Sequence, residues 1–307
     1  MGKPTAPFPI LTDNDMTQRT IFPWCTIFAL TALLVARPCA GAEFRLGSGM
    51  IGTLASHEIR QGESLIELAP QYDLGYNEIV AANQELDPII PEPGARITIP
   101  SRWIIPDVPL RRGIVINLSE MRLFYFPSRH PDRVVTYPIG IGDEGWETPT
   151  GTYRIVEKIT RPTWHVPASI RRQKPELPKE VPPGPDNPLG SHALRLSLRS
   201  VLIHGTDRPF GIGRQVSHGC IHLYPNDIPK LFAAVPVGTK VSIIRQPVKL
   251  ALLNGHVFAE AHGGPDDDLM ATAFGLVFSK GLADRVDLQK LTVVAREKTG
   301  IPTDVSR

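Results

Sequence analysis

The stretch Val201-Leu202-Ile203-His204-Gly205-Thr206-Asp207, followed by Gly211 and Gly213 and then Val216-Ser217-His218-Gly219-Cys220-Ile221-His222-Leu223, decides how this chain is read. Each half is a short apolar run ending in polar residues, the pattern of a buried strand that delivers reactive side chains to a rim. A Gly-rich loop separates the two. Cys220 follows His204 by sixteen residues, a spacing that suits strand, turn and second strand bringing a thiol beside an imidazole. An isolated cysteine is only a few per cent thiolate near neutral pH, so it becomes a useful nucleophile when an imidazole takes its proton or nearby dipoles favour the anion. Gly219 lets the backbone bend closely around the sulfur, and the N–H groups of His218, Gly219 and Cys220 then converge on a developing oxyanion. The chemistry this predicts is acyl transfer through a thioester.

Two other readings use the same residues. A cysteine beside a strand also serves as a small core residue. His204, His218, Cys220 and His222 are also zinc-ligand types, and alternate positions 218, 220 and 222 of a strand face one way. No C-x-x-C pair accompanies them. The H-x3-H spacing of His218 and His222 brings imidazoles together on a helix, whereas on a strand it sets them about 13 Å apart.

The cysteine count bears on the first alternative. Arg19 precedes the apolar run 21–35, and Ala40-Gly41-Ala42 supplies small residues for a cut before Glu43, so residues 1–42 read as an export signal. The run is too short and too Pro-flanked for a confident membrane span, although a tethered form is the alternative to cleavage. Met16 offers a second, more compact start. Cys39 follows Arg37-Pro38, a poor fit to lipidation. Cys25 and Cys39 both precede the cut, so the exported chain keeps Cys220 alone and has no intramolecular disulfide to make. A free thiol in an oxidising compartment is a liability, which argues against a merely structural role.

His204-Gly-x(14)-Cys220 with Ser217-His-Gly-Cys resembles the signature of the L,D-transpeptidase catalytic domain, the YkuD or ErfK/YbiS/YcfS/YnhG family. The resemblance runs from about Gly113 to Arg245 and includes Ile114-Val-Ile-Asn-Leu-Ser-Glu-Met-Arg-Leu-Phe-Tyr125, Thr148-Pro-Thr-Gly-Thr-Tyr153 and Pro182-Pro-Gly-Pro-Asp-Asn-Pro-Leu-Gly190. It implies a mainly β architecture with a YkuD-type β-sandwich catalytic domain. It assigns Cys220 as nucleophile and His204 as base, with Ser217, His218, Gly219, His222 and Gly205 in support. Many members carry Arg or Asn two residues after the cysteine. This chain has His222, which is mostly neutral at pH 7 where Arg would be a permanent cation.

The family resemblance further implies periplasmic work on peptidoglycan stem peptides and glycan. The cysteine is acylated by a stem tetrapeptide with loss of D-Ala, and an amine resolves the acyl-enzyme. A stem-peptide acceptor gives a cross-link, an outer-membrane lipoprotein lysine gives an anchored protein, and water makes the enzyme an L,D-carboxypeptidase. No metal or organic cofactor is implied, and carbapenem-type agents are expected to acylate the thiol. The rivals are a non-catalytic cell-wall-binding protein, suggested by His222 in an unusual place, and a zinc hydrolase.

The rest of the chain sets the frame. With 307 residues, 42% of them hydrophobic, there is room for two domains and a sizeable core, and a net charge of +2 gives no sign of a nucleic-acid partner. The 31 prolines favour loops and extended strands over a helical bundle. Residues 56–100 read as strand, helix, helix, strand: Ser64 caps a helix through Tyr72, a second runs from Asn77 to Asn83, and Arg96-Ile-Thr-Ile-Pro100 closes the module. That order is similar to LysM domains, which bind N-acetylglucosamine of glycan chains; a packing domain without sugar affinity is the alternative. Residues 101–112 read as a Pro-containing linker.

Within 113–245, Gly113 to Phe126 reads as a hairpin of alternating polarity turned at Ser119-Glu120, Val134 to Ile141 and Thr152 to Lys158 as further strands, and Asn226 to Ala234 as a single helix. Thr160 to Gly190 is too long and Pro-rich for a bare connection, and such loops are usually functional. It holds Trp164, Arg171, Arg172 and Lys174, read as groups that line the cleft or offer cations to an acidic peptide, with Tyr137 as a second aromatic there. Residues 246–307 read as a hairpin turned at Asn254-Gly255 and a surface helix over Leu282 to Lys298.

Overall fold

The hairpin Gly113–Asn117 and Arg122–Phe126 lies at the centre of the structure, and every residue of both strands is buried. Ile114, Ile116, Leu123 and Tyr125 face one apolar core, while Val115, Phe124 and Phe126 face another. The alternation read from the sequence therefore has no solvent face. Both sides of this hairpin are covered, and the reason is the module that precedes it.

The computed structural model describes residues 42–307 except 48, 199, 265 and 266; the export-signal reading falls outside them. The protein is mostly β and is built on a nine-stranded sheet. Its strands run, in spatial order, Ala42–Arg45, Arg133–Pro138, Arg122–Phe126, Gly113–Asn117, Lys240–Ile244, Gly151–Thr160, His192–Leu196, Leu202–His204 and Ile221–His222. Pairing is parallel between Gly113–Asn117 and Lys240–Ile244 and between the last two strands, and antiparallel elsewhere. The sheet curls around a core that takes Ile114, Ile155, Leu194, Ile203 and Ile221 from strands along its whole width. Gly140, just past one of its strands, exchanges two backbone hydrogen bonds with His222 on the far edge, of 3.0 and 2.9 Å, and so draws the two edges together. The helix Ile228–Ala234 plugs this core with Ile228 and Leu231.

The module before the hairpin has the order read from its sequence. Strand Ala55–Glu58 pairs antiparallel with Arg96–Ile99, and between them lie helix Leu65–Leu68, continued as a 3-10 turn through Tyr72, and helix Tyr76–Ala81. The Ser64 hydroxyl accepts the Glu67 amide at 3.3 Å, as an N-cap should. Leu65, Leu68, Leu74, Ile79, Ile97 and Ile99 form one continuous core with Val115, Phe124, Phe126 and Val134 of the sheet. Residues 101–112 are accordingly not a free linker throughout: Arg102–Ile104 is a strand paired with Met50–Gly52, and Trp103 is buried.

Across this junction lies a fully buried guanidinium. Arg122 donates from Nε and Nη2 to the two Glu78 carboxylate oxygens, each at 2.8 Å, from Nη2 to the Asp73 carbonyl at 2.7 Å, and from Nη1 to Thr136 Oγ1 at 3.2 Å. Its plane lies over the Trp103 ring at 4.1 Å, and Trp103 Nε1 donates to Glu78 at 2.8 Å. Burying an ion pair is tolerable only when the geometry is bidentate and the remaining donors and acceptors are matched, and here they are.

The C-terminal hairpin Val248–Leu253 and His256–Ala261 turns at Asn254-Gly255 as read, and gains a third strand at Thr303–Asp304. Helix Leu288–Glu297 begins six residues later than read, capped by Asp287, and buries Leu291, Val294 and Ala295, so it is not wholly a surface helix. A second helix, Leu269–Ser279, had no counterpart in the sequence reading. Lys249 secures this extension from a fully buried position, with Nζ at 2.7 Å from Glu120, 2.8 Å from Glu260 and 2.6 Å from the Ile104 carbonyl. It supplies the positive charge that Glu120 and Glu260 need in the interior.

Removing one partner of the Arg122–Glu78 pair leaves an unmatched charge in the core. Glu78→Ala is expected to lower the unfolding free energy by about 3–5 kcal/mol, and Glu78→Leu combined with Arg122→Met to recover most of it. Urea denaturation checks both, and a loss below about 1 kcal/mol for Glu78→Ala would mean that the junction does not rest on this pair.

Candidate active site

His204 ends a strand and Cys220 immediately precedes the strand that pairs with it in parallel, with Ile203 opposite Ile221 and His204 opposite His222. The fifteen residues between them therefore form a crossover within one sheet edge, where the sequence reading expected a strand, a turn and a strand. The crossover contains a short turn at Pro209–Gly211 and the strand Gln215–Ser217, which pairs in parallel with Ile141–Gly142.

Cys220 is half-buried. Its thiol points to the Ser200 carbonyl at 3.8 Å, and burial raises its pKa while a hydrogen bond from the Leu202 backbone opposes the rise. His204 is buried, and its Nδ1 lies 2.6 Å from the Gly205 carbonyl. A carbonyl only accepts, so Nδ1 carries the proton and Nε2 is left with the free lone pair. Burial holds the His204 pKa well below its ordinary 6.5, with the neighbouring His222 acting in the same direction. The resting state that follows is a neutral thiol, directed to the Ser200 carbonyl, and a neutral imidazole.

The turn that presents the thiol is closed by Ser217, whose hydroxyl donates to the Cys220 carbonyl at 2.6 Å. Inside it Gly219 adopts φ +93°, a conformation that side-chain-bearing residues rarely reach. The amides of His218, Gly219 and Cys220 have no intramolecular acceptor among the described residues, so three donors remain for an oxyanion. Two residues that the sequence reading did not single out complete the turn. Thr148 Oγ1 accepts the Gly142 amide at 3.0 Å and donates to the Gly219 carbonyl at 3.2 Å, while the Trp146 ring meets His218 edge-on at 5.0 Å. Thr148 lies in Thr148-Pro-Thr-Gly, so the family text carried a signal for it; nothing in the text around Trp146 pointed to His218.

His222 stands beside His204, the ring centroids 4.5 Å apart, and burial with the nearby His218 lowers its pKa to about 4. The zinc alternative needs His204, His218, Cys220 and His222 to converge. Among the described residues, three such ligand atoms lie within 4.8 Å of one another only at Glu120, Glu260 and His262, where Lys249 already fills the role of cation.

The loop over 160–190 is a built structure. Trp164–His165 pairs with Glu180–Val181, helix Ala168–Gln173 crosses its tip, and buried Asn187 donates to the carbonyls of Pro162, Val181 and Pro182 at 2.9–3.1 Å. The helix over 226–234 is thus not the only one in this region. Gly190 at the foot of the loop packs so closely on Gly205 that an added Cβ would lie 2.9 Å from its Cα. Trp164 is partly exposed, Arg172 is exposed, and Arg171 turns its Nε to the Val166 carbonyl at 3.3 Å. Tyr137 does not line a cleft: it is buried in the sheet core, where its own strand directs it.

Residues 111–243 match the family model of the L,D-transpeptidase catalytic domain, YkuD, and residues 57–100 match that of the LysM domain. The probable L,D-transpeptidase YcfS of Escherichia coli strain K12 is 39% identical over 305 residues, covering 92% of this chain and 95% of the relative. The probable L,D-transpeptidase ErfK/SrfK of Salmonella typhimurium is 37% identical over 311 residues, covering 94% and 98%. Among solved structures, the catalytic domain from the E. faecium L,D-transpeptidase overlays with a TM-score of 0.34 and 21% identity, over 45% of this chain and all of that one. The molecule joins a transpeptidase-type catalytic domain to a LysM domain. By its full-length similarity to these relatives, the chain belongs to the L,D-transpeptidase family.

The depressed His204 pKa fixes the sign of the acid limb. With Cys220 as nucleophile and His204 as its base, as the family resemblance implies, the acylation rate is expected to hold its plateau as pH falls through 6.5 and to decline only below it. Stopped-flow rates between pH 4 and 9 with a soluble acylating agent test this, and a midpoint at or above 6.5 would contradict it.

Proposed function

We propose that this protein is an exported peptidoglycan L,D-transpeptidase acting through Cys220 and His204. The observation that carries the reading is the tautomer of His204: with Nδ1–H committed to the Gly205 carbonyl, the free lone pair is on Nε2, and the strand His204 ends is paired with the one that Cys220 immediately precedes. Sγ attacks the diaminopimelate carbonyl of a stem tetrapeptide while Nε2 takes the thiol proton. The oxyanion is held by amides of the His218–Cys220 turn. The C–N bond then breaks, the imidazolium protonates the departing D-Ala amine, and a thioester remains on Cys220. An acceptor amine gives its proton to Nε2 as it attacks, and the sulfur leaves and recovers that proton.

The domain plan that goes with this is an export signal at 1–42, a glycan-binding LysM module at 56–100, a connecting segment at 101–112, the catalytic domain at 113–245 and an accessory extension at 246–307. Arg172 and Lys174, exposed on the 160–190 loop, suit the carboxylates of a stem peptide, with Trp164 and Arg171 beside them. Periplasmic location follows from the signal and the substrate. Among the described residues no helix is long and apolar enough to cross a membrane. The acceptor is a stem peptide or a lipoprotein lysine.

Incubation with a carbapenem should add one inhibitor mass to the wild-type chain and none to Cys220→Ala, read by intact-mass spectrometry. No addition to the wild type would overturn the assignment of Cys220. Muropeptides of a strain lacking the gene, complemented with wild type or Cys220→Ser, distinguish the acceptors. Loss of stem-to-stem dimers identifies cross-linking, and loss of lipoprotein-bearing muropeptides identifies anchoring.

A further inference from the structure

Leu74 and Gly75, with Tyr76 and Asn77 at the start of the second helix, form the turn into that helix of the LysM module, and this turn touches the segment that carries Cys220 on both sides of the cysteine. Upstream, the Tyr76 amide donates to the Ile212 carbonyl at 3.1 Å, and the Arg214 guanidinium lies 3.8 Å from the centre of the Tyr76 ring. Gly213 and Gly75 meet backbone to backbone. A Cβ on Gly213 would lie 2.3 Å from the Tyr76 nitrogen and 2.7 Å from the Gly75 carbonyl carbon, and Gly213 is in the left-handed region at φ +79°. Downstream, the Tyr224 hydroxyl donates to the Leu74 carbonyl at 3.0 Å.

The turn is itself held from the catalytic side. Asn77 Nδ2 donates to the Glu120 carbonyl at 3.0 Å, and the Gly75 amide donates at 2.7 Å to the same Glu78 carboxylate that Arg122 grips. From Gly213 the chain has little freedom on its way to the thiol. The Gly213 amide bonds the Ile139 carbonyl at 3.0 Å, the Arg214 carbonyl accepts the Ile141 amide at 3.1 Å, and the Ser217 carbonyl accepts the Asp143 amide at 2.8 Å. A displacement at Gly213 is therefore passed directly to the turn that presents Cys220.

We infer that the LysM module is a positioning part of the active site as well as a wall-binding one: its Leu74–Asn77 turn clamps the Ile212–Tyr224 segment and so sets the reactivity of Cys220 toward substrates that contain no glycan. Tyr76, Gly213 and Tyr224 are the positioning residues. The inference rests on the transpeptidase reading for the identity of the reaction, but the clamp is also legible in the intrinsic reactivity of the thiol.

The test uses the full chain with Gly213→Ala, Tyr76→Ala, Tyr76→Phe and Tyr224→Phe. Two soluble reagents are applied, a carbapenem and iodoacetamide, and neither offers a sugar to the module. Gly213→Ala and Tyr76→Ala are expected to lower the limiting rate of carbapenem acylation by about tenfold or more, since a misplacement of about 1 Å has costs of that order, while the concentration giving half the limiting rate changes little. Tyr76→Phe keeps the ring and the amide and should restore the wild-type rate. Tyr224→Phe removes a single hydroxyl and reports on the clamp even if the other variants fail to fold by circular dichroism. Folded Gly213→Ala, Tyr76→Ala and Tyr224→Phe all acylated within twofold of wild type would overturn the inference. If the wild type itself takes no carbapenem, the transpeptidase reading fails separately; an iodoacetamide rate that differs between wild type and Tyr224→Phe then still supports the clamp, and an unchanged rate removes it.

Discussion

A fully buried guanidinium constrains this molecule more than any other group. Arg122 lies on the central hairpin, and its charge is neutralised by Glu78, which belongs to a different module. Neither group can stay buried without the other, because each unpaired charge in the interior costs several kcal/mol. The hairpin cannot turn its second face to solvent, and the LysM helices cannot leave the sheet, while that pair is intact. Trp103 ties the segment between the modules to the same carboxylate. What the prolines of 101–112 suggest as a spacer is therefore part of a shared core, and the two modules are one packing unit with two family signatures.

The electrostatics of the site follow from the same closure. The edge that carries His204 and Cys220 is drawn toward the opposite edge by the Gly140–His222 bridge, so His204 is buried and Cys220 partly so. Desolvation disfavours the imidazolium and the thiolate alike. An ion pair at rest would need a nearby counter-charge or several strong donors, and the sulfur has a single backbone donor in Leu202. Under the proposed mechanism charge is made only when a carbonyl arrives, and the His218–Cys220 amides, which have no intramolecular acceptor among the described residues, are the donors proposed for its oxygen.

What was legible in the sequence was short-range or carried by the family text. The order of elements in 56–100, the Asn254-Gly255 hairpin and the strands around His204 and Cys220 are written in local periodicity and turn chemistry. Three kinds of feature were not. Arg122 and Glu78 stand forty-four positions apart, and Thr148 and Gly219 seventy-one, so no window connects them. The hairpin 113–126 alternates in polarity yet has both faces covered, because the module that covers its second face comes against it only on folding. Tyr137 was assigned to a cleft by residue type, yet strand parity turns it inward. Helix Leu269–Ser279 was missed since its apolar residues are spread around it, with Leu269, Ala273 and Val277 inside and Phe278 exposed.

The departure at position 222 acquires a physical meaning from the pairing of strands. Register places the residue two after the cysteine directly opposite the residue proposed as base, so whatever stands there acts on that imidazole at close range. A permanent cation would raise the cost of every imidazolium formed during turnover. A histidine whose own pKa is near 4 is neutral throughout the physiological range and imposes no such charge. It still lowers the His204 pKa, but desolvation is the larger cause, so the base is weakened chiefly by its burial. His222 therefore leaves the proton-accepting step intact while removing a cation that could otherwise contact the substrate. Under the proposed function, anion recognition then falls to cations other than position 222, and the exposed cations of the 160–190 loop, whose foot packs on Gly205, are candidates for it.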